Sequence, residues 1–110
     1  MKVMVSQINV SGSKKDNLCK VLRVLSENCG LCDLVIFPEM TMGAKTSEVS
    51  LENLAEDVES GEFSKSVSET CAKYSVGACV CLWEKNPKGK VYNTAVVYDK
   101  SGRIIAKYRK

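Results

Sequence analysis

Glu39 is the residue with the most evident chemical use, because it closes the run Leu34-Val35-Ile36-Phe37-Pro38-Glu39. Four apolar residues without period-2 alternation read as a strand covered on both faces, as in an α/β sheet. Pro38 has no N–H and a fixed φ, so the ladder cannot pass it. Glu39 is therefore turned out at the strand's carboxyl end, where α/β proteins collect ligands. A shielded carboxylate there can take and return protons, whereas a solvated loop carboxylate is the commoner fate of a glutamate. The six cysteines are the other reactive groups. Cys29-Gly30-Leu31-Cys32 has redox spacing, but a redox CxxC follows a strand and opens a helix, and this one ends a helix and precedes a strand. Cys29, Cys32, Cys79 and Cys81 could supply four thiolates to zinc, yet Cys79-Val80-Cys81 lies inside an apolar strand and lacks the usual spacing. The expectation is unpaired, mostly buried thiols, with Cys79 and Cys81 sharing one face of their strand.

Strands and helices must position these groups. Lys2 to Val10 reads as a first, central strand. Ser13 with Asp16 three residues on is a capping pattern, and Leu18, Val21, Leu22 and Leu25 then fall on one helical face. That helix ends near Cys29 with Gly30 as a left-handed cap, and the Glu39 strand follows. The unit is βαβ, so the two strands are parallel with a right-handed crossover. Leu51, Leu54, Ala55 and Val58 repeat at helical spacing in the next stretch. A longer helix follows from Phe63 to Tyr74, with Phe63, Val67, Cys71 and Tyr74 on one side. Val76 to Trp83 is a third strand, Asn86-Pro87-Lys88-Gly89 a turn, and Val91 to Tyr98 a fourth strand in a hairpin with the third. Asp99-Lys100-Ser101-Gly102 turns the chain into a fifth strand, Arg103 to Lys110. The order is β-α-β-α-β-β-β, an α/β fold with a mixed sheet. No helix follows to cover the second face of the later strands.

At 110 residues the chain is one domain, and 45% hydrophobic with 26% charged residues suits a globular protein rather than a disordered or membrane-spanning one. It lacks a signal-peptide core, which places it in the cytoplasm as an expectation. The net charge of +3 is unevenly spread: residues 48–62 hold six acids and no base, and residues 100–110 hold five bases and no acid. Without aromatic residues interleaved for base stacking, the basic end does not read as a nucleic-acid surface.

Taken in order, several of these pieces resemble landmarks of the amino-terminal half of the nitrilase superfamily, the carbon-nitrogen hydrolases. They are Gln7 in the first strand, Asp16-Asn17-Leu18 opening the first helix, Phe37-Pro38-Glu39, Trp83-Glu84-Lys85, Tyr92-Asn93-Thr94-Ala95 and Tyr108-Arg109-Lys110. The resemblance runs the length of the chain. It implies that residues 1–110 form a single incomplete domain, the mixed-sheet half of a four-layer α-β-β-α sandwich. It also implies a Cys-Glu-Lys triad acting on a small amide, carbamoyl or nitrile substrate, with no metal or organic cofactor, no nucleic-acid or membrane partner, and a homodimer for the complete protein. Glu39 matches the glutamate that takes the thiol proton, and Lys110 the lysine that stabilises the oxyanion. Their side chains should then meet around one carbon.

The sequence also departs from the family pattern. The family's nucleophile lies after the catalytic lysine, beyond the end of this chain, and so does a further carboxylate. Cys79 and Cys81 precede Lys110, sit mid-strand and have no evident adjacent base. Gly43-Ala44 stands where many relatives have an aromatic after the glycine. The chain alone is therefore expected to be inactive. The rival expectation is a non-catalytic α/β module, or a truncated product, that binds an acidic partner through its basic last strand.

Overall fold

The computed structural model describes all 110 residues. Its elements are β1 (Val3–Val5), α1 (Lys14–Asn28), β2 (Leu34–Ile36), α2 (Leu51–Leu54), α3 (Glu62–Tyr74), β3 (Gly77–Lys85), β4 (Val91–Tyr98) and β5 (Ile104–Arg109). They build one five-stranded mixed sheet in the order β1-β2-β3-β4-β5. β1, β2 and β3 run parallel, and β3, β4 and β5 are successive antiparallel neighbours. The α/β class and the mixed sheet are as expected.

Local sequence explains the helices. Ser13 caps α1 by accepting the Asp16 N–H at 3.2 Å, which satisfies a donor that the first turn leaves open. Val21 and Leu25 are fully buried, with Leu18 and Leu22 beside them. In α3 the buried face is Phe63, Val67 and Cys71. Gly61 has no side chain with which to cap that helix, and Glu56 does so instead, its Oε1 accepting the Phe63 N–H at 2.8 Å. Both helices pack on one face of the sheet, against Val35, Phe37, Ala78, Val80, Leu82, Val96 and Tyr98. Each large side chain buried there contributes about 1.5–3 kcal/mol.

The other face is open. Leu34, Ile36, Cys79 and Cys81 are only half-buried, and Val3, Val5 and Tyr108 are exposed. This corrects the expectation that β2 is covered on both sides: alternation sends Val35 into the core and its neighbours Leu34 and Ile36 to the uncovered face. β1 is an edge strand of three residues, not a long central one, because it has β2 on one side and no neighbour on the other. Gly30 does not cap α1 with a left-handed residue. The cap is Cys29 in right-handed geometry, and a turn closed by the Leu31 N–H on the Asn28 carbonyl (2.9 Å) leads out. α2 stops after four residues because Ala55 turns extended and Glu56 joins the sheet, bridging to Glu84. All six thiols are free, but only Cys71 is buried. Cys19 is exposed and the other four are intermediate.

The turn from β4 to β5 needs glycine. Gly102 has φ +81°, and a Cβ there would lie 2.3 Å from the Ser68 carbonyl oxygen. The close approach lets Ser68 Oγ donate to the Gly102 carbonyl at 2.5 Å, which ties the turn to α3.

Candidate active site

Pro38 interrupts the pairing of β2 with β3, and the interruption places Glu39. Along one edge of β3 the carbonyls of Cys79, Cys81 and Trp83 accept N–H groups from Phe37 (2.9 Å), Met42 (3.3 Å) and Glu56 (3.0 Å). Between Phe37 and Met42 the chain leaves the ladder and rejoins it. Glu39 lies on that excursion, on the uncovered face. The loop is held tightly for so short a segment. The Thr41 hydroxyl donates to the Pro38 carbonyl and the Gly43 N–H to the Met40 carbonyl at 2.9 Å. Met40, next to Glu39, has φ 60°, a left-handed conformation that a residue with a long side chain adopts only when its surroundings impose it.

Two residues clamp the loop from outside. Trp83 Nε1 donates to the Gly43 carbonyl at 2.8 Å. Asn17, fully buried in the first turns of α1, donates through Nδ2 to the carbonyls of Ser11 (2.8 Å) and Met42 (3.3 Å) and accepts the Ser11 N–H at 2.8 Å. Asn17 and Trp83 belong to the landmarks quoted from the sequence, and the structure supplies the reason for their types: Asn17 ties the end of the loop at Met42 to the Ser11 backbone, and Trp83 anchors Gly43 to β3.

Glu39 and Lys110 meet. Lys110 Nζ lies 3.0 Å from Glu39 Oε1, across 71 residues of sequence. Asn93 Nδ2 donates to the same oxygen at 2.6 Å, and the Asn93 carbonyl accepts the Lys110 N–H at 2.9 Å. The Lys110 ammonium first, and the Asn93 amide second, hold the Glu39 carboxyl below its ordinary value. With Cys81, Ala95 and Tyr108 these three residues line an open cleft of about 460 Å³. The expected shielding of Glu39 is not found: its side chain is 52% exposed and that of Lys110 72%. Both stand on the face that no helix covers, so in this chain the ion pair is solvated and contributes little to stability.

Cys81 corrects another expectation, since it lies in the same cleft as a carboxylate. Its thiol is nonetheless pushed up, first by burial and then by Cys79 and Glu39, with Lys110 pulling the other way. A thiol in that state is a poor nucleophile at neutral pH. No group of three or more Asp, Glu, His or Cys side chains converges to hold a metal, and the Cys29, Cys32, Cys79 and Cys81 thiols do not gather.

Beneath the cleft, on the helix-covered face, a second carboxylate organises β5. Glu84 is 7% exposed and accepts from Arg109 Nε (2.8 Å) and Nη2 (3.0 Å), Lys107 Nζ (3.3 Å) and Thr94 Oγ1 (2.9 Å). Arg109, the largest cause, brings its pKa from 4.5 to about 2 against the cost of burial. The guanidinium also lies over the Tyr92 ring, 4.7 Å from its centroid. Sequence reasoning assigned no role to Glu84, although a signal was present. Val80, Leu82 and Glu84 fall at i, i+2 and i+4 on the inward side of a strand, and a carboxylate at such a position needs cations. The basic last strand is therefore not a free patch: Lys107 and Arg109 are committed to Glu84, and Lys110 to Glu39.

The carbon-nitrogen hydrolase family matches residues 2–110. The formamidase of Nitratidesulfovibrio vulgaris (strain DP4) is 32% identical over 98 residues, which are 86% of this chain and 29% of that protein. Among solved structures, an N-terminal amidase superposes over 100% of this chain and 28% of its own, with TM-score 0.80 and 20% identity, a likeness of fold. A carbon-nitrogen hydrolase from Helicobacter pylori G27 covers 100% of this chain and 39% of its own, with TM-score 0.75 and 26% identity. The chain thus spans well under half the length of each of these proteins. With the family model matched over residues 2–110 and the fold shared with a solved carbon-nitrogen hydrolase, the chain belongs to the carbon-nitrogen hydrolases of the nitrilase superfamily.

Proposed function

We propose that this chain is the amino-terminal part of an amidase-type hydrolase, in which Glu39 is the general base and Lys110 the oxyanion-stabilising cation. The observation that carries the reading is the 3.0 Å approach of Lys110 to Glu39 in an open cleft at the carboxyl end of β2. A base and a fixed cation this close can act on the two ends of one reacting group. The nucleophile is a cysteine on a part of the protein outside these 110 residues. Its S–H proton passes to Glu39 as sulfur bonds to the substrate carbon, and the displaced π pair becomes an oxyanion held by Lys110. Collapse expels the amine, which takes the proton back from Glu39. Glu39 then deprotonates water to hydrolyse the thioester and restore the thiol.

The uncovered sheet face bears on this reading, because oxyanion stabilisation by a lysine is strong only where water is excluded. A further layer over that face would dry the cleft and bring the thiol to it. A small amide is the proposed substrate, with formamide the first compound to assay because formamidases are among the relatives. Carbamoyl and nitrile compounds are the next to try. The test is turnover by the protein from its full reading frame. Glu39→Gln and Lys110→Met should each lower kcat/KM by about a thousandfold, and the 110-residue chain alone should turn over nothing. Full activity in either variant would remove that residue from the mechanism.

A further inference from the structure

Both donors to Glu39 fall on one oxygen. Lys110 Nζ and Asn93 Nδ2 converge on Oε1, at 3.0 and 2.6 Å, and Oε2 receives no protein donor. A carboxylate held this way cannot rotate to exchange its oxygens without breaking two charge-assisted bonds. Asn93 also fixes the lysine, since its carbonyl accepts the Lys110 N–H at 2.9 Å. One residue on β4 therefore sets the orientation of the base through its side chain and the placement of the cation through its main chain. The residue type suits the task. A second cation in place of the amide would weaken Glu39 further as a base, a carboxylate would repel it, and a hydroxyl on a shorter side chain would not reach.

We propose that Asn93 is a positioning residue for the reaction: it pins Glu39 Oε1 so that Oε2 is the atom that takes and returns the proton. This rests on the base role given to Glu39 above, and the two can be tested apart. Replacing Asn93 removes the amide but leaves the carbonyl that holds Lys110, so only the base is released. In protein carrying carbon-13 at its glutamate carboxyls, the Glu39 signal is assigned by its loss in Glu39→Gln and followed through an acid titration. Its midpoint should move up in Asn93→Ala and further up in Asn93→Asp, where a like charge faces it. Asn93→Asp is nearly isosteric and reports even where the alanine variant fails to fold.

In turnover assays of the full protein, kcat for Asn93→Ala should fall about ten- to hundredfold with KM within about twofold, a share of what a general base supplies. The acid limb of the kcat/KM profile should rise with the titration midpoint. A residue that merely supported the fold would lower activity and leave that limb in place. An unmoved Glu39 midpoint in both folded variants, with Glu39→Gln inactive, overturns the role of Asn93 and leaves the base intact. Turnover that survives Glu39→Gln overturns the base itself, and the positioning role with it.

Discussion

Replacing Glu84 by glutamine keeps the shape of the side chain and removes the charge on which the β3-β4-β5 end of the sheet closes. The expected magnitude follows from the titration. Bringing the carboxyl from 4.5 to about 2, at about 1.4 kcal/mol per pH unit, means the fold favours the ionised form by about 3 kcal/mol. At 7% exposure little of this is lost to solvent, whereas Lys107 and Arg109, at 39% and 47%, recover hydration when the carboxylate goes. A net loss of about 2 kcal/mol at neutral pH is therefore expected, below the roughly 3–5 kcal/mol of a fully buried pair broken on one side. For a chain of this size that lowers Tm by about 10 °C. The pH dependence carries the stricter test. Because the folded-state pKa is depressed, the contribution of Glu84 is full above about pH 4.5 and disappears as pH falls to about 2. Denaturant unfolding of both proteins from pH 7 to pH 2 should show a gap that closes over that window, while Asp33, also held near 2, is common to both and cancels. A gap that stays constant to pH 2, or no gap at pH 7, would refute the account.

Three further outcomes are expected. Glu39→Gln and Lys110→Met should lower amidase turnover in the full protein by about a thousandfold, and in the 110-residue chain, where the pair is solvated, should change Tm by less than about 2 °C; calorimetry of the chain beside turnover assays of the full protein checks both. Under native conditions a thiol reagent should react with Cys19 first and Cys71 last, since burial pushes the Cys71 thiol up to about 12; mass spectrometry of timed alkylations gives the order, and early labelling of Cys71 would contradict the packing of α3. Gly102→Ala should cost about 2 kcal/mol or more in chemical denaturation, because its φ of +81° disfavours a side chain and its Cβ would meet the Ser68 carbonyl.

Much of the fold was legible where local physics decides. The Ser13 cap and the 3.6-residue periods of α1 and α3 need no tertiary information, and the hairpin turn at Asn86-Pro87-Lys88-Gly89 is written in its residues. What failed depended on neighbours. Whether β1 is central or at an edge is a property of the whole sheet, and no pattern in Val3, Met4 and Val5 states it. The run from Leu34 to Phe37 looked buried on both faces because its residues are apolar, yet this chain covers only the side of Val35 and Phe37. Leu51 to Val58 kept a helical period, but β2 had left the edge of β3 at Pro38, and pairing Glu56 with the vacated stretch won over a second helical turn. In the site, the resemblance brought Glu39 and Lys110 forward. Asn93 was quoted within a landmark but received no role, because an asparagine in a strand has many uses and only the folded sheet shows that it reaches Glu39.

The end of β5 shows how few residues connect the fold to the chemistry. Arg109 and Lys110 are consecutive, so the alternation of an extended chain sends them to opposite faces. Arg109 goes under the sheet to Glu84, where a bidentate contact with a largely buried carboxylate fixes its position. Lys110 goes above it to Glu39 and to the cleft with Cys81. The same alternation holds across the hairpin, where Thr94 faces Glu84 and its neighbour Asn93 faces Glu39. A one-residue slip of β5 would turn each cation to the other face: in one direction the Lys110 ammonium would fall on a site shaped for a guanidinium, and in the other the Arg109 guanidinium would fall where the proposed mechanism places a point charge. Glu84 thus favours the register that brings Lys110 beside Glu39, and its contacts beneath the sheet add to the Asn93 carbonyl that holds the main chain of the lysine above it.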